Sequence, residues 1–141
     1  MRFWDSSAIV PIVCAESTSP RCRAWLRTDP IILVWALAAI EVISALARRR
    51  REGVLDAVRF ADGKQRLLKL ERAWNEVGQY DAVRGRARRL LETHPLRAAD
   101  ALHLAAALVA VEERPARLEF VTFDERLAEA AAKEGFAILS G

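Results

Sequence analysis

The sequence predicts an α/β domain built on a mostly parallel central sheet, and three observations lead there. Short β-branched or aromatic runs (Arg2–Trp4, Ile31–Trp35, Leu118–Phe123 and Phe136–Leu139) alternate with longer segments of helical composition. Strands separated by helices are joined by crossovers, which leave neighbouring strands parallel. Ile31–Trp35 is apolar throughout, the pattern of a strand covered on both faces. At 141 residues, 52% of them hydrophobic, the chain has the size of one domain, residues 1–141, with a core of its own.

Arg2–Trp4 is the first strand, and it ends at Asp5-Ser6-Ser7, side chains suited to capping a helix that starts over Ala8–Cys14. Pro11 is expected in the first turn of that helix, where a missing N–H costs little. Ser17–Pro20 reads as a break, Pro20–Arg27 as a short second helix and Asp29-Pro30 as a turn before the second strand. Ala38–Arg51 is helical and Gly53 follows its basic end, where the Arg48–Arg51 run complements the helix dipole. Val54–Trp74 spaces Leu55, Val58, Leu67, Leu68 and Leu70 among charges, as one or two amphipathic helices with a break expected near Asp62-Gly63. A short strand within Ala73–Val77 stays open.

Tyr80–Thr93 is a further amphipathic helix, stopped by His94-Pro95. Leu96–Ala110 is almost entirely Ala, Leu and Val, the composition of a buried helix. Glu112–Glu119 is a charged loop containing Pro115, and the strand Leu118–Phe123 ends at Asp124. Glu125–Glu134 is helical, Gly135 stops it, and Phe136–Leu139 is the last strand.

Several classes drop out. The longest apolar runs are short and interrupted by Glu41 and Asp100, so no membrane span is expected. The start, MRFWDSSAIVPIV, lacks a cleavable signal pattern, which leads to a cytoplasmic protein. Cys14 and Cys22 form no CxxC pair and read as reduced thiols, and with His94 and His103 they do not make a zinc site. The net charge is +3, with basic clusters at Arg48–Arg51 and at Arg84, Arg86, Arg88 and Arg89. These fit a phosphate backbone or a solvated helix face equally well. Trp4, Trp25, Trp35 and Trp74 read as core.

Four carboxylates carry the chemistry. Asp100 is the one acid in Leu96–Ala110, and Glu41 is the only charge in Ile31–Ala47. An ionised carboxylate in such surroundings loses several kcal/mol of hydration unless a partner or a metal compensates. Asp5 and Asp124 end the first strand and the Leu118–Phe123 strand; Glu41 falls within two turns of a helix start, and Asp100 is expected in the second turn of its helix. Strand C-termini and the helix starts that follow share one edge of a parallel sheet, where ligand sites form at the switch in strand order. Two carboxylates about 4 Å apart repel by roughly 4 kcal/mol at an effective dielectric near 20, so convergence calls for protonation or a divalent cation. Oxygen-only ligands suit Mg²⁺ or Mn²⁺, the equipment for phosphodiester hydrolysis. Each acid also has a structural reading: Asp5 and Asp124 as helix caps, Glu41 and Asp100 as partners of an Arg such as Arg97. Ser7 and Thr122 either orient a carboxylate or water, or serve capping and packing, and His103 reads as a core or surface imidazole.

The segments FWDSSAIV, AAIEVISALARR, LRAADALHLAAAL and FVTFDERLAEAAAKEGFAIL, in this order and spacing, resemble the PIN-domain ribonucleases, and within them the VapC toxins of toxin–antitoxin systems. The resemblance runs from Met1 to about Leu139 and is loose over Val54–Thr93. It implies an α/β/α sandwich and an endoribonuclease dependent on Mg²⁺ or Mn²⁺. It also implies catalytic acids at Asp5, Glu41, Asp100 and Asp124, with Asp5 and Asp100 the firmest metal ligands and Glu41 and Asp124 acting directly or through water. Ser7 and Thr122 fall where the family often has hydroxyl residues near the pocket. RNA as substrate, a homodimer and inhibition by a small antitoxin are implied as well. Two other classes remain: a phospho-signalling or phosphatase-like α/β domain, and a non-enzymatic domain whose acids pair with Arg. Ser7 stands where the phosphatase form wants a second Asp, and no Lys follows LEFVTF closely, as a receiver form requires.

Overall fold

β1 (Arg2–Trp4), β2 (Ile32–Trp35), β3 (Asn75–Val77), β4 (Glu119–Val121) and β5 (Ala137–Leu139) form one sheet in the order β3-β2-β1-β4-β5. Every pairing is parallel, so the expected mostly parallel sheet is wholly so. The computed structural model describes all residues, Met1–Gly141. The helices are α1 (Ser6–Val13), α2 (Ser19–Thr28), α3 (Ala38–Arg51), α4 (Ala57–Glu71), α5 (Tyr80–Thr93), α6 (Ala98–Ala110) and α7 (Glu125–Lys133). None is long and apolar enough to cross a membrane.

Side chains on a strand alternate between faces, and the strands use both. Phe3, Leu33 and Phe120 join Leu90, Leu104 and Leu127 of α5, α6 and α7 in one buried cluster. Their neighbours Trp4, Val34 and Val121 join Ile9, Val42 and Leu67 of α1, α3 and α4 in the other. Two apolar layers on opposite faces of one sheet make the α/β/α sandwich. Trp4, Trp35 and Trp74 are buried as expected, while Trp25 is half-buried and stacks on Phe123. Cys14 and Cys22 are buried free thiols, and burial pushes the Cys22 thiol up to about 11.

Three local expectations need correction. Pro11 lies in the second turn of α1, not the first, because the helix begins at Ser6 with Asp5 as its cap. The bond lost there is tolerated in a helix that ends two residues later, and the Pro11 carbonyl accepts from Ser19 Oγ at 2.6 Å. The strand at Leu118–Phe123 narrows to Glu119–Val121, since beyond Val121 the chain turns toward α7. The third concerns Gly63, where α4 runs unbroken. A Cβ at Gly63 would lie 3.3 Å from Leu46 Cδ1 and 3.5 Å from the Val13 carbonyl oxygen. The residue marks where α4 closes on α1 and α3, not where a helix ends.

Two glycine substitutions should therefore differ in sign. Gly63→Leu overpacks the α1–α3–α4 contact and should cost about 1–3 kcal/mol. Gly85→Ala, in exposed helix α5 with nothing near the added Cβ, should gain about 0.5–1 kcal/mol. Urea midpoints of the two variants check this, and destabilisation by Gly85→Ala would contradict it.

Candidate active site

Strand order reverses around β1: the chain proceeds outward through β2 and β3 on one side and through β4 and β5 on the other. The crossovers leaving β1 and β4 separate at this point and open a crevice at the strands' C-terminal ends. Asp5 follows β1 and caps α1, its Oδ1 accepting from the backbone N–H of Ala8 at 3.3 Å and from Ser7 Oγ at 2.7 Å. Asp124 follows β4 and caps α7, accepting from the Leu127 N–H at 2.8 Å. The capping reading of these two acids is thus correct and does not remove them from the crevice.

Ser7 joins the two turns. Its hydroxyl donates to Asp5 and accepts from the Phe123 N–H at 2.9 Å. Thr122, wholly buried, accepts from the Asp124 N–H at 3.0 Å and lies 3.4 Å from the Ser7 hydroxyl. The pair fixes where Asp5 and Asp124 stand relative to each other.

Glu41 lies in the first turn of α3, and Asp100 in the first turn of α6. The expected second-turn position of Asp100 is corrected because α6 starts at Ala98, where Arg97 is still extended. Burial is corrected too: Glu41 and Asp100 are half-buried at helix starts, whereas Asp5 is only 2% exposed. Asp5, Glu41, Asp100 and Asp124 line one cavity of about 520 Å³, together with Ser7 and Phe123. The Arg97 alternative does not form, since no ion pair includes Asp5, Asp100 or Asp124.

The residue that sequence reasoning undervalued is His103. It is buried on α6, one turn beyond Asp100, and its Nε2 bonds to Glu41 Oε2. Its Nδ1 is buried without a partner. The signal was its spacing: positions three apart share a helix face, so an imidazole following Asp100 by three points the same way.

Burial pushes the Asp5 carboxyl up to about 6, against the pull of His103 and of hydrogen bonds from Ser7, Thr122 and Ala8. Asp100 is raised by burial and then by the charges of Asp124 and Glu41, with His103 and Arg97 opposing. Burial draws His103 down, but Glu41, Asp5 and Asp100 outweigh it and the net shift is upward. The crevice thus holds negative charge in excess of what its own side chains neutralise.

No three His, Cys, Asp or Glu side chains stand close enough together to cage a metal ion. The donor set nevertheless fits a hard divalent cation: four carboxylates line one cavity, Asp5 raised by burial and Asp100 by burial and the charges of Asp124 and Glu41. A hard divalent cation that keeps several of its waters needs only one or two direct carboxylates, so an acidic cavity without a closed cage can still hold it. At the rim, Arg48 and Arg49 line the same cavity, and Arg49 is held by Glu16 at 2.8 Å. Of the second basic cluster, Arg84 pairs with Asp81, and Arg86 bridges Glu113 and Glu134 at 2.8 and 3.2 Å. Those two arginines are engaged in ion pairs within the chain.

The PIN domain family model matches residues 2–133. No curated protein matches the chain. Among solved structures, a toxin–antitoxin complex from Klebsiella pneumoniae is similar at TM-score 0.61 and 17% identity, with 91% of each chain covered. FitAcB from Neisseria gonorrhoeae is similar at TM-score 0.66 and 17% identity, covering 99% of this chain and 96% of that one. FitAB bound to an IR36 DNA fragment is similar at TM-score 0.64 and 19% identity, covering 99% and 94%.

The raised carboxyl of Asp5 makes stability depend on pH. Between its ordinary value of 3.8 and about 6 the folded chain keeps a proton that the unfolded chain has lost, so stability falls as pH rises. His103, also raised, acts in the same direction at higher pH: its contribution is present below the ordinary value of 6.5 and is lost as pH climbs through the folded value. In chelator, Asp5→Asn should gain about 2–4 kcal/mol over the parent at neutral pH and little near pH 4. Thermal melts of both proteins across that range check it, and a gain that does not vary with pH would contradict it.

Proposed function

The chain belongs to the PIN domain family, and from that premise we propose that it is a metal-dependent endoribonuclease, the VapC-type toxin of a toxin–antitoxin pair. The observation that carries the reading is the one cavity at the switch point into which four separate elements deliver Asp5, Glu41, Asp100 and Asp124. In this reading Asp5 and Asp100 hold Mg²⁺ or Mn²⁺, and Glu41 and Asp124 complete the site directly or through water. When bound, the ion supplies an activated water and offsets the charge that builds on the phosphate.

The side chains supply placement. Ser7 and the Ala8 N–H fix Asp5 through Oδ1, and the Leu127 N–H fixes Asp124 through its own Oδ1. Thr122 holds the turn that carries Asp124, and His103 holds Glu41. Reacting groups held in place gain rate because less orientation is lost on reaching the transition state. Single-stranded or looped RNA is the fitting substrate, because its backbone reaches a recessed site that a stiff duplex does not.

A small cognate antitoxin as partner, a homodimer and a cytoplasmic setting complete the proposal. One of the similar structures, the toxin–antitoxin complex from Klebsiella pneumoniae, supports the antitoxin. The absence of any ion pair to Asp5, Asp100 or Asp124 weighs against a purely structural acidic cluster.

The test is cleavage of single-stranded RNA by the purified protein with Mg²⁺ or Mn²⁺, beside calorimetric titration with Mn²⁺. Asp100→Asn and Asp5→Asn should keep the parent circular dichroism spectrum, lose Mn²⁺ affinity and cut RNA about 100-fold more slowly or worse. Full cleavage by both variants, or undiminished cleavage in chelator, would end the proposal. Phosphorylation of Asp5 by a small phosphodonor would instead favour a phospho-signalling domain.

A further inference from the structure

A second cavity, of about 330 Å³, lies beside the first. Asp100, Phe123 and Asp124 line both, so the two hollows share a wall. Arg48 lines only the first, and Arg97 and Arg126 line only the second. All three arginines are exposed, and none forms an ion pair, in contrast to Arg49, Arg84 and Arg86. The wall the two cavities share is acidic, and each cavity adds unpaired arginines outside that shared wall.

The spacing follows from the helices. Glu41, Ser44, Ala45 and Arg48 follow one face of α3 and all line the first cavity. Two turns separate Glu41 from Arg48, about 10 Å along the axis. On the other side Arg97 is the N-cap residue of α6 and offers no side-chain cap, so that helix's first N–H groups and the positive end of its dipole are left open beside Arg97's own charge. Arg126 sits in the first turn of α7, two residues beyond Asp124.

We propose that Arg48 on one side, and Arg97 with Arg126 on the other, are phosphate-binding subsites that carry a single RNA strand across the acidic centre. The inference rests on the nuclease reading and adds to it the track that the substrate follows. The acids in the middle repel a phosphate backbone, and cations on both flanks hold the phosphates on either side of the one to be cut. Asp100, Asp124 and Glu125 also line the second cavity, so its net charge favours a phosphate only when a divalent cation offsets the two aspartates. RNA binding is therefore coupled to the ion, and the guanidinium groups act through charge and bidentate contacts to phosphate oxygens, with no demand on base identity.

The test is fluorescence anisotropy of a short mixed-sequence single-stranded RNA. It is read in Ca²⁺, which suits the carboxylates and holds cleavage back, and in chelator, across about 50–200 mM salt. Each phosphate contact on a single strand contributes about 0.7 to the slope of log affinity against log salt. Arg48→Gln and Arg126→Gln should each flatten the parent slope by about that amount, and the double variant by about twice it. Arg50→Gln, exposed and outside both cavities, should keep the parent slope. Slopes unchanged by Arg48→Gln and Arg126→Gln, or flattened equally by Arg50→Gln, overturn the track. Binding no tighter in Ca²⁺ than in chelator overturns the coupling to the ion. Cleavage with unchanged slopes would refute the track and leave the nuclease standing, whereas arginine-dependent binding without cleavage would do the reverse.

Discussion

The Ser7 hydroxyl is the point on which the acidic crevice depends. By donating to Asp5 and accepting from the Phe123 N–H, it ties the turn leaving β1 to the turn leaving β4. These are the two crossovers that diverge at the reversal of strand order. Without a tie, a crevice lined by carboxylates would tend to spread, since mutual repulsion drives its walls apart. The helix caps add a second restraint. A carboxylate committed to a backbone N–H at a helix start loses rotamer freedom and takes its position from the helix. Asp5 and Asp124 are thereby placed by the fold.

The acids divide into two kinds. Asp5 is buried at the floor, on the shortest connection in the chain from strand to helix, and its proton is held to about pH 6. Glu41 and Asp100 approach from the first turns of helices on opposite faces of the sheet, and both remain half-buried. His103 links the two sides, rising from α6 to hold Glu41 on α3. Raised carboxyl groups cost stability at neutral pH, and the fold bears that cost at the crevice.

Much of the architecture is legible in local pattern. Helix α3 coincides with the segment Ala38–Arg51 read from composition, and α5 with Tyr80–Thr93, because an amphipathic face and clear stop signals define both. Gly63 misleads because a glycine signals a break when only chain stiffness is considered, whereas here it lets α4 approach α1 and α3 closely, a use not visible without the neighbouring helices. Pro11 is misplaced only by its turn, because α1 starts at Ser6 and not at Ala8. Within the site, Glu41 and Asp100 stand out as lone charges in apolar segments, and Asp5 and Asp124 as acids at the ends of strands. His103 does not, since its meaning depends on Glu41, sixty-two positions away along the chain.

Taken alone, the sequence determined the alternation of strand and helix, the parallel sheet, the family resemblance and the identity of the four carboxylates. All of these are encoded in runs of neighbouring residues, whose periodicity and composition act through local sterics and burial. Tertiary structure decided which acid is buried, that Ser7 and His103 join separate elements, and that unpaired arginines line the acidic crevice and the hollow beside it. Those features arise from contacts between segments remote in sequence, and a one-dimensional pattern carries no record of which segments pack together.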